Sequence, residues 1–178
     1  MNFTALHSFL SEANLKEHLS YFRNLKNKYS IIEKSCPELK GRNIEEILKM
    51  NLKRRLREEA LGLLYKIRAH ELYFSSFTEE TKPSPLLRKY YSSENSFIYE
   101  MKCLSLCSDY GYIYIYRDNR GVPRFKYAGA LDESFVKDRP MLLVDLYEHA
   151  YFADYGFNYS AYLDGAFSHL DLSRLNAT

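Results

Sequence analysis

Two long stretches in the first half of the sequence carry apolar residues at alternating steps of three and four. They cover residues 15–32 and 56–77. This spacing places one apolar stripe along each of two α-helices. Ser11 is a suitable N-cap for the first helix, and Pro37 and Gly41 lie in the connection between the two. The stripes therefore predict an antiparallel helical hairpin packed seam to seam.

The period of the pattern changes from helix to strand in the second half. Residues 110–116 alternate tyrosine with glycine and isoleucine, the period of two expected of a strand. Residues 118–121 form a turn signal, residues 122–127 a returning strand, and residues 141–144 a third, buried strand. Further helical segments are predicted over residues 43–50, 86–91, 93–107, 147–155 and 159–170.

The expected fold class is α+β. An N-terminal antiparallel helical hairpin is followed by an α/β domain with a small three-stranded antiparallel sheet. Residues 81–85 contain two prolines and predict the linker between the halves. The expected domains are residues 1–82 and 83–178.

Composition excludes several classes of protein. The net charge is +2 with mixed signs, which gives no field suited to nucleic acid or a membrane surface. No apolar run approaches the roughly 20 residues needed to span a bilayer. The first residues show neither a basic nor an apolar signal region, and the three cysteines have no zinc-like spacing. We expect a cytoplasmic protein with reduced thiols and no nucleic-acid or membrane partner.

Two of the five histidines occupy positions where the helical stripes call for a core residue. These are His18 and His70, one on each predicted helix. A buried polar side chain needs a partner, since leaving it unpaired costs on the order of 1–3 kcal/mol. Each ring could be a core histidine satisfied by a hydrogen bond. Two histidines that face inward from adjacent helices are also suited to share a metal ion.

A carboxylate and a third histidine follow in the second half. Asp145 ends the buried strand, and His149 comes four residues later at the predicted start of a helix. A carboxylate at the end of a buried strand requires a cation, a metal or hydrogen-bond donors. Three imidazoles and one carboxylate would suit iron, manganese or zinc. The residues alone leave both a metal site and a satisfied polar core open.

Four motifs resemble the iron/manganese superoxide dismutase family, in the family's order. Residues 145–152, DLYEHAYF, are similar to its D-x-W-E-H-A-Y-Y signature. Residues 10–18, LSEANLKEH, resemble its I-S-x-x-x-L-x-x-H segment, and residues 69–74, AHELYF, its N-H-x-x-[FY]-W segment. Residues 111–115, GYIYI, fall where the family has G-W-x-W-L.

The resemblance implies a fold, a metal site and an activity. Its ligands would be His18, His70, Asp145 and His149, which hold one ion per chain, iron or manganese, with solvent as fifth ligand. The substrate would be superoxide. Glu148 would reach across a homodimer to the partner's copy of the third histidine, and the implied site also includes Tyr147 in the aromatic box and Tyr21 or Tyr29 as substitute for the gateway tyrosine.

The sequence departs from the family pattern around the ligands. It contains no glutamine and no tryptophan, whereas the family anchors metal-bound solvent with a glutamine or a histidine and surrounds it with tryptophans. Phe74, Tyr112 and Tyr147 stand at the aromatic positions, and Phe152 replaces an interface tyrosine. A second register, which pairs residues 18–21, HLSY, with the family's later H-x-x-Y, leaves no first ligand.

Three functions remain open on these grounds. The first is a superoxide dismutase of the iron/manganese type. The second is a metal-binding member of the same fold with lost or altered activity and a structural role. The third is another redox reaction at the same metal.

Overall fold

The structure, a computed structural model, describes residues 3–108 and 110–176. Within them, helices dominate the first half and the sheet lies in the second. The α-helices are α1 (Thr4–His7), α2 (Glu12–Ser35), α3 (Ile44–Lys49), α4 (Arg54–Ser75), α5 (Pro85–Tyr90), α6 (Glu94–Leu106), α7 (Glu133–Asp138), α8 (Phe152–Tyr155) and α9 (Tyr159–Ser168). The strands are β1 (Tyr112–Arg117), β2 (Pro123–Ala128) and β3 (Leu142–Asp145). Short 3-10 helices cover Pro37–Leu39, Glu148–Ala150 and Leu172–Asn176.

The two long helices form the expected hairpin. The Ser11 hydroxyl caps α2 by accepting a hydrogen bond from the Asn14 backbone N–H at 3.1 Å, as the sequence predicts. Helix α2 packs against α4. The stripe of α2 is buried from Leu15 to Tyr29, with its last predicted member, Ile32, half-buried. Burial of this face excludes water from the seam in which both histidines lie.

The sheet has strand order β2-β1-β3, and both pairings are antiparallel. Because β1 is central and helices cover the sheet, its residues from Tyr112 to Ile115 are buried whichever face they point to. In the register, Tyr112 lies opposite Ala128 of β2 and opposite Asp145 of β3. The predicted α+β architecture with a three-stranded antiparallel sheet is confirmed.

Two contacts tie the helical half to the part of the chain that carries Asp145 and His149. The Ser76 hydroxyl, just after α4, accepts a hydrogen bond from the Leu143 backbone N–H of β3 at 2.8 Å. At the other end, the Asp154 carboxylate of α8 accepts one from the Ser11 backbone N–H at 2.7 Å. Helix α4 and strand β3 also pack directly. These contacts fix α2, α4 and β3 as neighbours.

The structure differs from the sequence prediction in several short segments. Helices α1 and α7 were not predicted, and residues 147–155 form a 3-10 turn followed by α8 rather than one helix. The interruption lies at Tyr151, whose φ of −145° is outside the helical range.

No helix in the described ranges is both long and apolar enough to cross a bilayer. The division of the chain at residues 82 and 83 stays a prediction.

Candidate metal centre

Four side chains from separate elements converge at the junction of the hairpin and the sheet. His18 comes from α2, His70 from α4, Asp145 from the end of β3, and His149 from the 3-10 turn that follows. The first three are fully buried, and His149 is 25% exposed. The structure thus brings together all four residues that the resemblance assigned as ligands.

The donor atoms face a common point. Oδ2 of Asp145 lies 3.2 Å from Nε2 of His149 and 3.6 Å from Nε2 of both His18 and His70. Nε2 of His70 lies 3.3 Å from Nε2 of His149. One donor atom from each residue can be chosen so that all four lie within 4.8 Å of one another.

These separations fit a single bound ion. Metal bonds to imidazole nitrogen and carboxylate oxygen are about 2.0–2.2 Å long, so two donors of one ion lie at most about 4.4 Å apart. The pairs measured at 3.2–3.6 Å meet this limit. All four donor atoms lie within 4.8 Å of one another, which is close to this limit.

The hydrogen bonds of the cluster leave the nitrogen and oxygen atoms that face its centre free to bind an ion. Nδ1 of His70 donates to the Lys66 carbonyl oxygen at 2.7 Å, which leaves the Nε2 lone pair toward the cluster. Oδ1 of Asp145 accepts from the Tyr147 backbone N–H at 2.9 Å, while Oδ2 faces the imidazoles. Both ring nitrogens of the buried His18 lack a hydrogen-bond partner among the described residues. An orphaned buried imidazole is costly, and a metal ion would satisfy it.

Electrostatics favour the protonation states that bind metal. Burial lowers the pKa of His70 from 6.5 to about 4, with a smaller opposing effect from Asp145. Burial also lowers the pKa of His18. For Asp145, burial alone would raise the pKa, but the neighbouring imidazoles of His149, His18 and His70 outweigh it and the pKa is lowered. Two neutral imidazoles beside an ionised carboxylate are the forms that bind metal.

Aromatic rings wall the cluster on its buried side. Phe22 stacks parallel to His70 with ring centroids 5.7 Å apart. Tyr73 and Phe74 flank His18 at 4.8 and 4.9 Å. These rings exclude water from the helical side and lower the local dielectric, which strengthens electrostatic interactions inside.

The other side of the cluster is more open. The ring of Tyr21 stacks on His149 at 4.2 Å, and Tyr147 stacks on the same imidazole at 5.7 Å. Both tyrosines are half-buried, and the Tyr147 hydroxyl donates to the Gly129 carbonyl oxygen at 2.8 Å. Glu148 is exposed. Of the three predicted catalytic residues, two therefore contact the cluster and Glu148 lies on the surface beside it.

Sequence reasoning missed one supporting residue of the cluster. The hydroxyl of the buried Tyr162, on α9, donates to the Asp145 carbonyl oxygen at 2.7 Å and so helps to fix the end of β3. The available signal was an aromatic residue within the predicted segment 159–170, which by itself indicates only core packing.

Comparison with known proteins gives one family. Residues 82–178 match the family model of the C-terminal domain of iron/manganese superoxide dismutases. No curated protein matches the chain. The matched region covers more than half of the sequence and includes Asp145 and His149, while His18 and His70 complete the cluster from the helical hairpin. The chain belongs to the iron/manganese superoxide dismutase family.

Proposed function

We propose that the protein is a superoxide dismutase of the iron/manganese type. Two superoxide ions and two protons would give one dioxygen and one hydrogen peroxide at a mononuclear site. The observation that carries the proposal is the convergence of three imidazoles and one carboxylate, from four elements, in a chain of this family. Both iron and manganese accept this donor set. We propose iron first and manganese second.

The bound ion would supply two accessible oxidation states. His18, His70 and His149 would hold it as neutral ligands, and the Asp145 carboxylate would offset part of its charge. The dry aromatic wall on the helical side would confine access to the side of Tyr21 and Tyr147. We assign these two tyrosines to the entrance, where both rings stack on the His149 imidazole.

We further propose a homodimer in which Glu148 accepts a hydrogen bond from His149 of a second copy. Glu148 is exposed and has no ion pair within the described residues, while the nearby His149 is partly exposed. Phe152 and Phe157, a few residues further on, form an exposed aromatic pair at 5.4 Å, with Phe157 95% exposed. An apolar pair beside an unpaired carboxylate supports an interface here. A cytoplasmic location completes the proposal.

The second candidate is a metal-binding relative with lost or altered activity, in a structural or other redox role. The observation that favours it is the absence of glutamine and tryptophan from the whole sequence. The rings around the cluster are tyrosine and phenylalanine instead. Because the surroundings of a metal tune its potential, this difference bears on the rate of dismutation more than on metal binding.

Elemental analysis and a dismutation assay on the same preparation separate the candidates. We expect about one iron or manganese per chain and dismutation that is lost in His149→Ala. The matched control is His7→Ala, which removes an exposed histidine outside the cluster and should retain both metal and activity. Metal without activity would select the second candidate, and absence of metal from the unaltered protein would refute the site.

A further inference from the structure

The tyrosine hydroxyls near the cluster differ in whether the protein offers them an acceptor. The Tyr147 hydroxyl donates to the Gly129 carbonyl oxygen, and that of Tyr162 to the Asp145 carbonyl oxygen. The hydroxyl of Tyr112 has no hydrogen-bond partner among the described residues. Tyr21 also lacks one, but its ring is half-buried at the open side, where water can serve it.

The position of Tyr112 directs it toward the ligands. It lies directly opposite Asp145 in the β1–β3 register, and opposed residues of antiparallel strands project from the same face of the sheet. Its ring packs edge-on against Tyr147 at 5.2 Å, and Tyr147 in turn stacks on His149. The residue is 2% exposed. Tyr112 is thus a buried residue that shares a sheet face with one ligand and a ring contact with the neighbour of another, and its hydroxyl is accessible to a water-sized molecule.

The nearest carboxylate is already engaged. Oδ1 of Asp145 accepts from the Tyr147 backbone, and Oδ2 faces the three imidazoles. No described group of the protein accepts from the Tyr112 hydroxyl, and the hydroxyl oxygen is accessible to a water-sized molecule, so its acceptor is a small molecule and not the protein itself. A small ligand in the position left open on the metal ion would supply it.

We propose that the Tyr112 hydroxyl donates a hydrogen bond to the small oxygen or anionic ligand that completes the coordination of the ion held by the cluster. Tyr112 is then a positioning residue, and it favours compact hydrogen-bond acceptors such as hydroxide, fluoride or superoxide over ligands that cannot accept. This inference rests on the proposed metal site but not on dismutation itself.

The substitution Tyr112→Phe removes only the hydroxyl, and Tyr114→Phe is its matched control. Tyr114 lies on the same strand, but its hydroxyl donates to the Asp138 carboxylate at 2.7 Å. Fluoride binding to the iron(III)-loaded proteins, followed by optical titration, is the readout. We expect the dissociation constant to rise about tenfold in Tyr112→Phe, the effect of one hydrogen bond to a charged acceptor. It should stay at the unaltered value in Tyr114→Phe.

Thermal unfolding of the metal-free proteins gives a second, independent readout. Tyr112→Phe should be at least as stable as the unaltered protein, because its hydroxyl has no protein acceptor to lose. Tyr114→Phe should be less stable, since it removes the hydrogen bond to the Asp138 carboxylate and leaves that group with the longer ion pair to Lys126 at 3.5 Å. Equal loss of stability in both variants would show a protein acceptor for Tyr112 and overturn the inference.

The outcomes separate this inference from the proposed function. Unchanged fluoride affinity in metal-loaded Tyr112→Phe overturns the inference alone. Weaker fluoride binding in a protein that does not dismutate superoxide supports the inference and refutes the enzyme. Absence of metal from the unaltered protein overturns both.

Discussion

The two sides of the candidate metal centre are built differently. On the helical side, His18 and His70 are fully buried, walled by Phe22, Tyr73 and Phe74. On the sheet side, His149 sits in a short 3-10 turn and is 25% exposed. The helical side packs its two histidines into the hydrophobic core, whereas the sheet side leaves its histidine partly at the surface. Substitutions on the helical side should therefore affect folding, whereas substitutions on the sheet side should affect metal access with little effect on folding.

The largest effect should come from His70→Ala. This variant loses a ligand, the hydrogen bond to the Lys66 carbonyl and a ring packed on Phe22. The metal-free protein should lose about 2–4 kcal/mol of unfolding free energy, as for a large-to-small core change, whereas His149→Ala should lose about 1 kcal/mol or less. Both should lose metal. Urea unfolding of the metal-free variants measures the difference. Equal losses of unfolding free energy would contradict the distinction between the two sides.

The next largest effect is the pH dependence of the stability of the metal-free protein, which we attribute to the buried histidines of the helical side. Burial lowers the pKa of His70 from 6.5 to about 4, so between these values the unfolded chain binds more protons than the folded one. Stability of the metal-free protein is then full above pH 6.5 and falls as pH drops toward 4, by on the order of 3 kcal/mol. The lowered pKa of His18 adds to the same window.

Urea unfolding across this pH range measures the slope. Replacement of His70 by leucine should flatten it, and His7→Ala should leave it unchanged because that side chain is exposed. A slope of equal size in His70→Leu would mean that other groups carry the titration.

The smallest effect on the folded chain should come from Glu148→Ala on the sheet side. An exposed side chain without an ion pair should change the stability of the protomer by no more than about 0.5 kcal/mol. The same change should weaken the proposed dimer, because it leaves His149 of the second copy without its acceptor. Analytical ultracentrifugation measures the dissociation constant. Glu17→Ala, an exposed glutamate on α2, is the control, and equal dimerisation of both variants would refute the interface.

The helical side was also the more predictable from sequence. Its stripes run over residues 15–32 and 56–77, long enough for the helical period to emerge and to show His18 and His70 among apolar neighbours. By contrast, α1 has only four residues. Such a segment carries no period, and it is held by the burial of Ala5 and Leu6, which depends on the rest of the fold. Helix α7 has an aspartate N-cap, but its apolar residues, Phe135 and Val136, are adjacent in the sequence and so show no helical spacing.

On the sheet side, the sequence indicated residue types but not their contacts. The position of Asp145 at the end of a buried strand followed from the apolar run before it. The stacking of Tyr21 on His149 and the unpaired hydroxyl of Tyr112 did not, because they depend on cross-strand register and on packing between distant segments. Local sequence patterns do not encode such relations.

The order of the four cluster residues along the chain has a consequence for synthesis. His70 and His149 are 79 residues apart, and Asp145 and His149 both lie in the last quarter of the sequence. A nascent chain exposes its two buried histidines together in the hairpin well before the carboxylate and third imidazole emerge from the ribosome. Contacts between such distant segments form late in folding. Until then the hairpin offers only two of the four side chains of the candidate site, so an ion held by all four would reach its full affinity only on a nearly complete chain.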